Sequence, residues 1–360
     1  MAVFVFISAC PNPQNQYAID DLPGCDDCPN VLDEDILVEL VNKIEDGDYG
    51  EIESLIIIHN DSLAFEEYFL GWNRHMLHPC FSATKSFTSA LIGIAIEQGY
   101  ISGVDEKLLS FFPEYDDIEN LDERKESITL ENVLTMTAGF RWDETSTPIY
   151  DIEGNPNLEN DLVKMGESDD WIKHMLNLPM SDDPGTQWNY NSGGSHLLSG
   201  IVQKVTNQSL EDFAEDNLFS PLGITNWEWE SDPNGITTGG WGLSLHPVDM
   251  AMFGYLFLKS GLLNGEQILP EHWVNLSTAK HIEIIDIESG SHNSDYGYQW
   301  WRILTSQNIY FALGNGGQFI AILPDRNIVV VMTADNTAED YVSLALQILF
   351  GHIVPAVQEN

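Results

Sequence analysis

The chain is poor in cations. Its 360 residues hold 14 Lys and Arg against 57 Asp and Glu, a formal charge of −43. The sign of that charge counts strongly against nucleic acid as a partner, since binding it needs basic surface to replace the counterions around phosphates. Adhesion to anionic lipid is disfavoured for the same reason. No run approaches the roughly 18 consecutive apolar residues of a membrane span. Cysteine is scarce, with four residues. Cys25-Asp26-Asp27-Cys28 has neither a second Cys or His pair at zinc spacing nor a βαβ context, so it reads as a local disulfide or as nothing. Cys80 precedes an apolar helix and reads as a small buried side chain. No Gly-x-Ser-x-Gly elbow is present, against an α/β-hydrolase. The ten histidines include no His-Glu-x-x-His pair, and no glycine-rich phosphate loop exists, which removes zinc hydrolysis and nucleotide chemistry. The acidic loop Asp151–Asn157 carries its glycine at the fourth place rather than the sixth, against a calcium loop. Neither a metal nor a cofactor is expected.

What is present is a core. Hydrophobic residues make up 43% of the chain, with 10 Trp, 12 Tyr and 16 Phe, enough to exclude a disordered acidic tail. The carboxylate excess reads equally as a salt-tolerant surface or as a merely acidic soluble protein. Residues 1–30 read as leader and linker. The apolar run Ala2 to Ala9 ends at Cys10, and Ile7-Ser8-Ala9-Cys10 resembles a bacterial lipoprotein processing site. That resemblance implies export with a lipid anchor at Cys10, although the run is short and no Lys or Arg precedes it.

Residues 31–360 are expected to form one domain, with an α/β part from 31–100 and 245–360 and a helical lobe over about 100–245. Apolar spacing predicts a helix from about Val31 to Glu45. A hairpin follows over Glu53–Phe69, turning at Asn60-Asp61-Ser62. A buried helix is expected from Thr84 to Gln98, closed by Gly99. Helices are expected near Thr129–Met136, Ser195–Val205, Ser209–Leu218, Pro247–Ser260 and Pro270–Leu276. Strands are expected at Tyr298–Ile303, Ile309–Leu313, Gln318–Leu323 and Ile328–Thr333, then a helix from about Ala338 to Phe350. The pattern points to an α/β (α+β) architecture: one antiparallel sheet completed by both ends of the chain, flanked by helices, with the helical lobe set against it.

The strongest chemical signal is Ser82-Ala83-Thr84-Lys85. A Ser and a Lys three apart on a helix share a face. A helix start surrounds Ser82 with free N–H groups, and that field with burial favours a neutral lysine able to take the serine proton. The spacing alone is weak, since the chain holds a second copy, Ser277-Thr278-Ala279-Lys280. Context separates them: Ser82 leads a long apolar helix, whereas Ser277 stands at a frayed helix end and is expected at the surface. Tyr190-Asn191-Ser192 offers a phenol and a hydroxyl two residues on, and a phenolate beside an ammonium is a base near neutral pH. Tyr100 and Tyr341 also have Ser two residues later, so that pattern too is weak alone. Ala312-Leu313-Gly314-Asn315-Gly316-Gly317 ends a strand in glycines, where backbone can approach a substrate and lend an N–H to an oxyanion hole.

Taken in order, these motifs resemble the penicillin-binding-protein and class C β-lactamase-like serine hydrolases, with their Ser-x-x-Lys, Tyr-x-Asn/Ser and Lys/His-x-Gly elements. The similarity runs from about Leu55 to Thr333 and includes Thr129–Phe140, Pro221–Ile224, Tyr296–Trp301 and Gly316-Gly317-Gln318. It implies a β-lactamase/transpeptidase-like fold, with Ser82 as acylated nucleophile, Lys85 as its activator and Tyr190 as acid and base. Ser192 then stands where Asn usually positions the lysine and the substrate. The Asn315 N–H becomes the second oxyanion donor if the third motif is Ala312-Leu313-Gly314, with Gly314-Asn315-Gly316 as the other register; Gly314, Gly316 and Gly317 border the substrate. In either register the cation of the third motif is missing. In antibiotic-cleaving members that cation meets the β-lactam carboxylate, and its absence in a chain at −43 makes anionic substrates unattractive. The implied activity is hydrolysis of small neutral or cationic esters or amides, as in the family's esterases and 6-aminohexanoate-dimer hydrolases. A β-lactamase or DD-peptidase is the alternative, and a non-catalytic peptidoglycan-fragment sensor a further one. Trp142, Trp188, Trp227, Trp241, Trp300 and Trp301 are candidates for an apolar acyl pocket, with core packing as the competing role.

Overall fold

The computed structural model describes residues 18–22, 32–151, 153–284, 294–303, 308–337 and 340–357. The expectations for Cys10, for Cys25 and Cys28, and for most of the 1–30 linker lie outside them. Helix α1 (Glu34–Glu45) begins where the Asp33 carboxylate accepts from the Asp35 and Ile36 amides, and it buries Leu37, Leu40, Val41 and Ile44. Strands β1 (Ile52–His59) and β2 (Ser62–Tyr68) form the expected hairpin. Asn60 (φ 50°) and Asp61 (φ 64°) make its turn, two successive left-handed residues of the types that tolerate that geometry. Helix α2 (Thr84–Glu97) is buried from Thr84 to Ala95. At its Gly93 a Cβ would stand 2.3 Å from Trp273, so the glycine admits a neighbouring helix, Glu271–Ser277.

The middle of the chain supplies helices α3 (Leu130–Leu134), closed by a Thr129–Asn132 capping box, α4 (Trp171–Asn177) and α5 (Ser192–Thr206). Helix α5 is capped by Asn191, whose Oδ1 accepts the Gly194 amide at 2.7 Å. Helix α6 (Pro247–Leu258) precedes six strands: β3 (Ile282–Ile284), β4 (Ser294–Tyr296), β5 (Trp301–Ile303), β6 (Tyr310–Gly314), β7 (Gln318–Leu323) and β8 (Ile328–Ala334). Helix α7 (Tyr341–Ile348) follows β8. The main sheet is antiparallel, in the order β2-β1-β8-β7-β6-β5-β4-β3.

Helices cover both faces, so the central strands carry continuous apolar runs instead of alternating ones. Ile56, Ile58, Ile320, Ile322, Val329 and Val331 join the core shared with α2, α6 and the helical middle. Their neighbours Leu55, Ile57, Phe319, Val330 and Met332 join a second core under α1 and α7. Among the described residues no helix is long and apolar enough to cross a membrane.

Four expectations change. The strand expected at Tyr298–Ile303 begins only at Trp301: the Gly297 amide donates to the Trp300 carbonyl, and Gln299 adopts φ 63°, which turns the chain away from a ladder. Strands β3 and β4 were not expected. Helix α5 starts at Ser192, three residues before the expected Ser195, which puts that hydroxyl on the first turn. Ser277, expected at the surface, is fully buried, because the 294–300 segment packs over its helix end and the Tyr298 amide donates to the Ser277 carbonyl at 2.8 Å.

Candidate active site

Ser82 sits in a single 3-10 turn, Phe81–Ala83, that runs directly into α2. Phe81 adopts φ 45°, uncommon for a bulky residue, so the turn is held by its surroundings. On one side the Cys80 amide donates to the Leu243 carbonyl at 2.7 Å. On the other, the end of β6 presses in so closely that a Cβ on Gly314 would lie 2.3 Å from the Cys80 carbonyl oxygen. Cys80 itself is fully buried, as expected.

Lys85 lies three residues on, within α2, and is 2% exposed. Its Nζ is 3.0 Å from Ser82 Oγ, 2.9 Å from Ser192 Oγ and 2.8 Å from the Gly240 carbonyl oxygen. Burial brings its pKa down to about 8, and the Glu144 carboxylate pulls the other way. Near neutrality a usable fraction of the amine is therefore uncharged. The first turn of α5 delivers Ser192, and the Gly239-Gly240 segment lies tight against it: a Cβ on Gly240 would be 2.8 Å from the Ser192 carbonyl oxygen. Thr88 Oγ1 donates to the Gly239 carbonyl at 2.7 Å and Ser199 Oγ donates to the Thr237 carbonyl at 2.5 Å, which fixes the acceptor for Lys85 between α2 and α5.

Tyr190, just before the cap of α5, has its ring centre 4.7 Å from Lys85 Nζ, and the nearby Ser82 side chain favours its ionised form. Burial holds its phenol well above the usual value, helped by Tyr296 and Glu144. The phenolate base considered from sequence is thus disfavoured; a protonated phenol beside a buried amine fits the surroundings. Trp188, Tyr296 and Trp301 form a rim around it, with Trp301 6.0 Å and Trp188 6.1 Å from the Tyr190 ring and Tyr296 5.2 Å from Trp301.

Of the six candidate tryptophans, Trp188 and Trp301 stand at the site. Trp300 is buried against Phe253 and Phe257, Trp227 packs on Phe219, and Trp241 packs at a tilt on Trp171. Trp142 donates its Nε1–H to Glu144 at 2.7 Å. A cavity of about 1070 Å³ lies on the α7 side of β5 and β6, lined by Phe311, Leu313, Leu346 and Phe350, and touches this rim only at Trp301.

The glycine segment divides into two environments. Gly314, the last residue of β6, faces the serine turn, whereas Gly316 (φ 78°) and Gly317 (φ 107°) face Ala334 and the start of α7. Asn315 is exposed on the turn between β6 and β7, and its carbonyl accepts from Gln318 Nε2 at 3.3 Å. The structure therefore brings together Ser82, Lys85, Tyr190 and Ser192, with Gly314 against them, and leaves Gly316 and Gly317 one step away. The second Ser-x-x-Lys does not assemble: Ser277 Oγ donates to the Val274 carbonyl, and Lys280 pairs with Asp295 at 2.8 Å.

Sequence reasoning missed three parts. Glu144 accepts from Ser192 Oγ at 2.7 Å and from the Ser192 amide at 2.8 Å. The Gly240 carbonyl is the second. Gln299 is the third: its Nε2 donates to the Leu134 carbonyl at 2.8 Å and its Oε1 accepts from Ser195 Oγ at 2.7 Å, tying α3 to α5. Glu144 lies in an acidic loop with nothing to mark it except its place two residues after Trp142. Asp151, in the loop tested for calcium, accepts from the Glu153 and Asn155 amides.

A half-buried serine beside a buried lysine at the start of a core helix is joined by a tyrosine and a serine from the start of a second helix and by a glycine-ended strand, an arrangement in keeping with a serine hydrolase. The Beta-lactamase family profile matches residues 53–351, and the chain belongs to that family of serine hydrolases. An uncharacterised protein of Alkalihalophilus pseudofirmus is 24% identical over 321 residues, 77% of this chain and 82% of its own length. Monacolin J acid methylbutanoyltransferase of Aspergillus terreus is 29% identical over 163 residues, 41% of this chain but 37% of that protein. Among solved structures, a Bacillus anthracis protein provisionally named a 6-aminohexanoate-dimer hydrolase superposes with TM-score 0.71 at 22% identity, covering 88% of this chain and 83% of that one. These structural likenesses establish the β-lactamase/transpeptidase-like fold.

Proposed function

We propose that the protein hydrolyses small neutral or cationic esters or amides through an acyl-enzyme on Ser82. Neutral Lys85 takes the Ser82 proton as Oγ bonds to the substrate carbonyl carbon. The oxyanion that forms meets backbone N–H groups of Ser82 and Asn315. Tyr190 gives its phenolic proton to the departing alcohol or amine and regains one from the Lys85 ammonium. Water then attacks the acyl ester, its proton passes back through the Tyr190–Lys85 pair, and Ser82 leaves with its own proton restored as the acid departs.

One observation carries this reading: a lysine 2% exposed, lowered to about 8 by burial, 3.0 Å from a serine hydroxyl. Substrate charge follows from the net −43 and from an uncharged Asn315 at the glycine turn. The aromatic rim of Trp188, Tyr296 and Trp301 favours an apolar acyl or leaving group.

The experiment is a panel of p-nitrophenyl esters, linear amides and nitrocefin, with and without high salt, alongside a fluorophosphonate probe read by mass spectrometry. Ester or amide turnover, with the label on Ser82 and none in Ser82→Ala, is the expected result. Nitrocefin cleaved faster than every ester and amide would move the assignment to β-lactamase. Neither turnover nor label would revive the non-catalytic sensor.

A further inference from the structure

Lys85 has three oxygen neighbours, and each hydrogen bond can be given a direction. The Gly240 carbonyl can only accept, so one Lys85 N–H is committed to it at 2.8 Å. Ser192 Oγ is 2.9 Å from Nζ, but its own hydrogen is already committed: Glu144 Oε1, an acceptor only, lies 2.7 Å away. The Glu144 carboxylate is itself fixed, because its Oε2 accepts from the Ser192 amide at 2.8 Å and from Trp142 Nε1 at 2.7 Å. Ser192 Oγ must therefore accept the second N–H of Lys85. A neutral amine has two N–H bonds and one lone pair. With both N–H bonds taken, the lone pair faces Ser82 Oγ at 3.0 Å, and Ser82 must donate to it.

We propose that Glu144 is a positioning residue that works through Ser192: by holding the Ser192 hydroxyl as a one-way relay, it aims the Lys85 lone pair at Ser82. The inference rests on the serine-hydrolase reading of the same site. A hydroxyl is a rotor, and this is why it needs the carboxylate. Without Glu144, Ser192 can swing its hydrogen onto the Lys85 lone pair, leaving an N–H bond facing the nucleophile. An asparagine at 192 would not need the help, since its carbonyl oxygen can only accept. The pairing of Ser192 with Glu144 thus does jointly what a single amide side chain can do alone.

The groups around the amine are few. Ser82 and the Tyr190 ring face it from the serine turn and the approach to α5, Ser192 from α5, and the Gly240 carbonyl from the segment alongside. The Glu144 charge lies behind Ser192, and the Tyr296 phenol lies beyond Tyr190. Glu144 raises the Lys85 pKa, so its removal lowers that pKa and moves the acid limb of kcat/KM to lower pH.

The test measures kcat/KM against pH for wild type, Glu144→Gln, Ser192→Asn and the double variant, with the fluorophosphonate label on Ser82 read in each. Glu144→Gln is expected to lose about 10- to 100-fold at the plateau, a part of the roughly 100- to 10,000-fold that general acid–base catalysis contributes, while its acid limb moves down in pH. In the Ser192→Asn background the same Glu144→Gln step is expected to cost about threefold or less, because the asparagine carbonyl keeps the relay one-way. A loss of similar size in both backgrounds, or an acid limb that stays in place, overturns the proposal in favour of plain structural support. If Glu144→Gln alone fails to fold, the step is read in the Ser192→Asn background, where a cost above about tenfold overturns it. Absence of any Ser82 label in the wild type would instead remove the hydrolase reading itself, so the two failures are distinguishable.

Discussion

Two Ser-x-x-Lys quartets occur in this chain, and beyond their spacing they have nothing in common. Lys85 is buried, lowered to about 8, and within 3.0 Å of its serine. Lys280 is exposed, and its hydrogen bond to Asp295 raises it above the ordinary lysine value. A third lysine separates the two causes. Lys125 is fully buried and is also brought down to about 8, yet its Nζ donates only to the Glu119 and Leu176 carbonyls, each at 2.7 Å. Spacing without burial gives Lys280, and burial without a hydroxyl gives Lys125. Only Lys85 combines the two, and a base requires the combination.

The sharpest way to break that comparison is to disable each quartet in turn. Ser82→Ala and Lys85→Met should each lower fluorophosphonate labelling and ester turnover by more than about 1000-fold, the scale seen when a member of a catalytic unit is removed. Ser277→Ala and Lys280→Met should leave both within about twofold; the buried Ser277 shows itself only in a melting shift. Equal losses from the two quartets would erase the distinction.

The close approach of β6 comes next. Gly314→Ala places a methyl against the Cys80 carbonyl and must push the serine turn away from the end of β6, which carries the proposed oxyanion N–H. A loss of about 100-fold in kcat with little change in KM is expected. A pure KM effect would mean that Gly314 shapes binding only.

The pH profile separates Lys85 from Lys125. With Lys85 as the proposed base, kcat/KM should rise roughly tenfold per pH unit up to about 8 and level off above it. Lys125→Met should keep that limb in place, and a limb that moved would show that the wrong lysine had been credited.

The smallest expected effect is on stability. An unfolded lysine keeps its proton up to about 10.4, whereas both buried lysines release theirs near 8. Between those values the unfolded state binds more protons, so stability rises with pH. Melting curves from about pH 8 to pH 10 should show this rise, and it should shrink in Lys125→Met. An unchanged rise would place that lysine's titration elsewhere.

The order of elements and the serine–lysine turn were legible in the sequence because they rest on local signals. An uninterrupted apolar run marks β1, Gly99 closes α2, and Asn60-Asp61 can only be a tight turn between strands. Glu144 was not legible, since nothing in Trp142-Asp143-Glu144 says that it will meet a residue 48 positions later. Strands β3 and β4 were missed because three-residue strands carry too little periodicity to show. Ser277 was misplaced because burial there comes from a segment folded over it from the following loop. For Glu144 and Ser277 a contact distant in sequence decided the outcome, and no local pattern encodes it.

The central claim is that Lys85 is uncharged often enough to act as a base, and its own titration tests this most directly. Carbon-13 NMR of lysine Cε, with Lys85 assigned through the signal lost in Lys85→Arg, should show a midpoint near 8 that moves when a fluorophosphonate occupies Ser82. A midpoint at or above the ordinary lysine value of about 10.4, indifferent to that modification, would contradict the account.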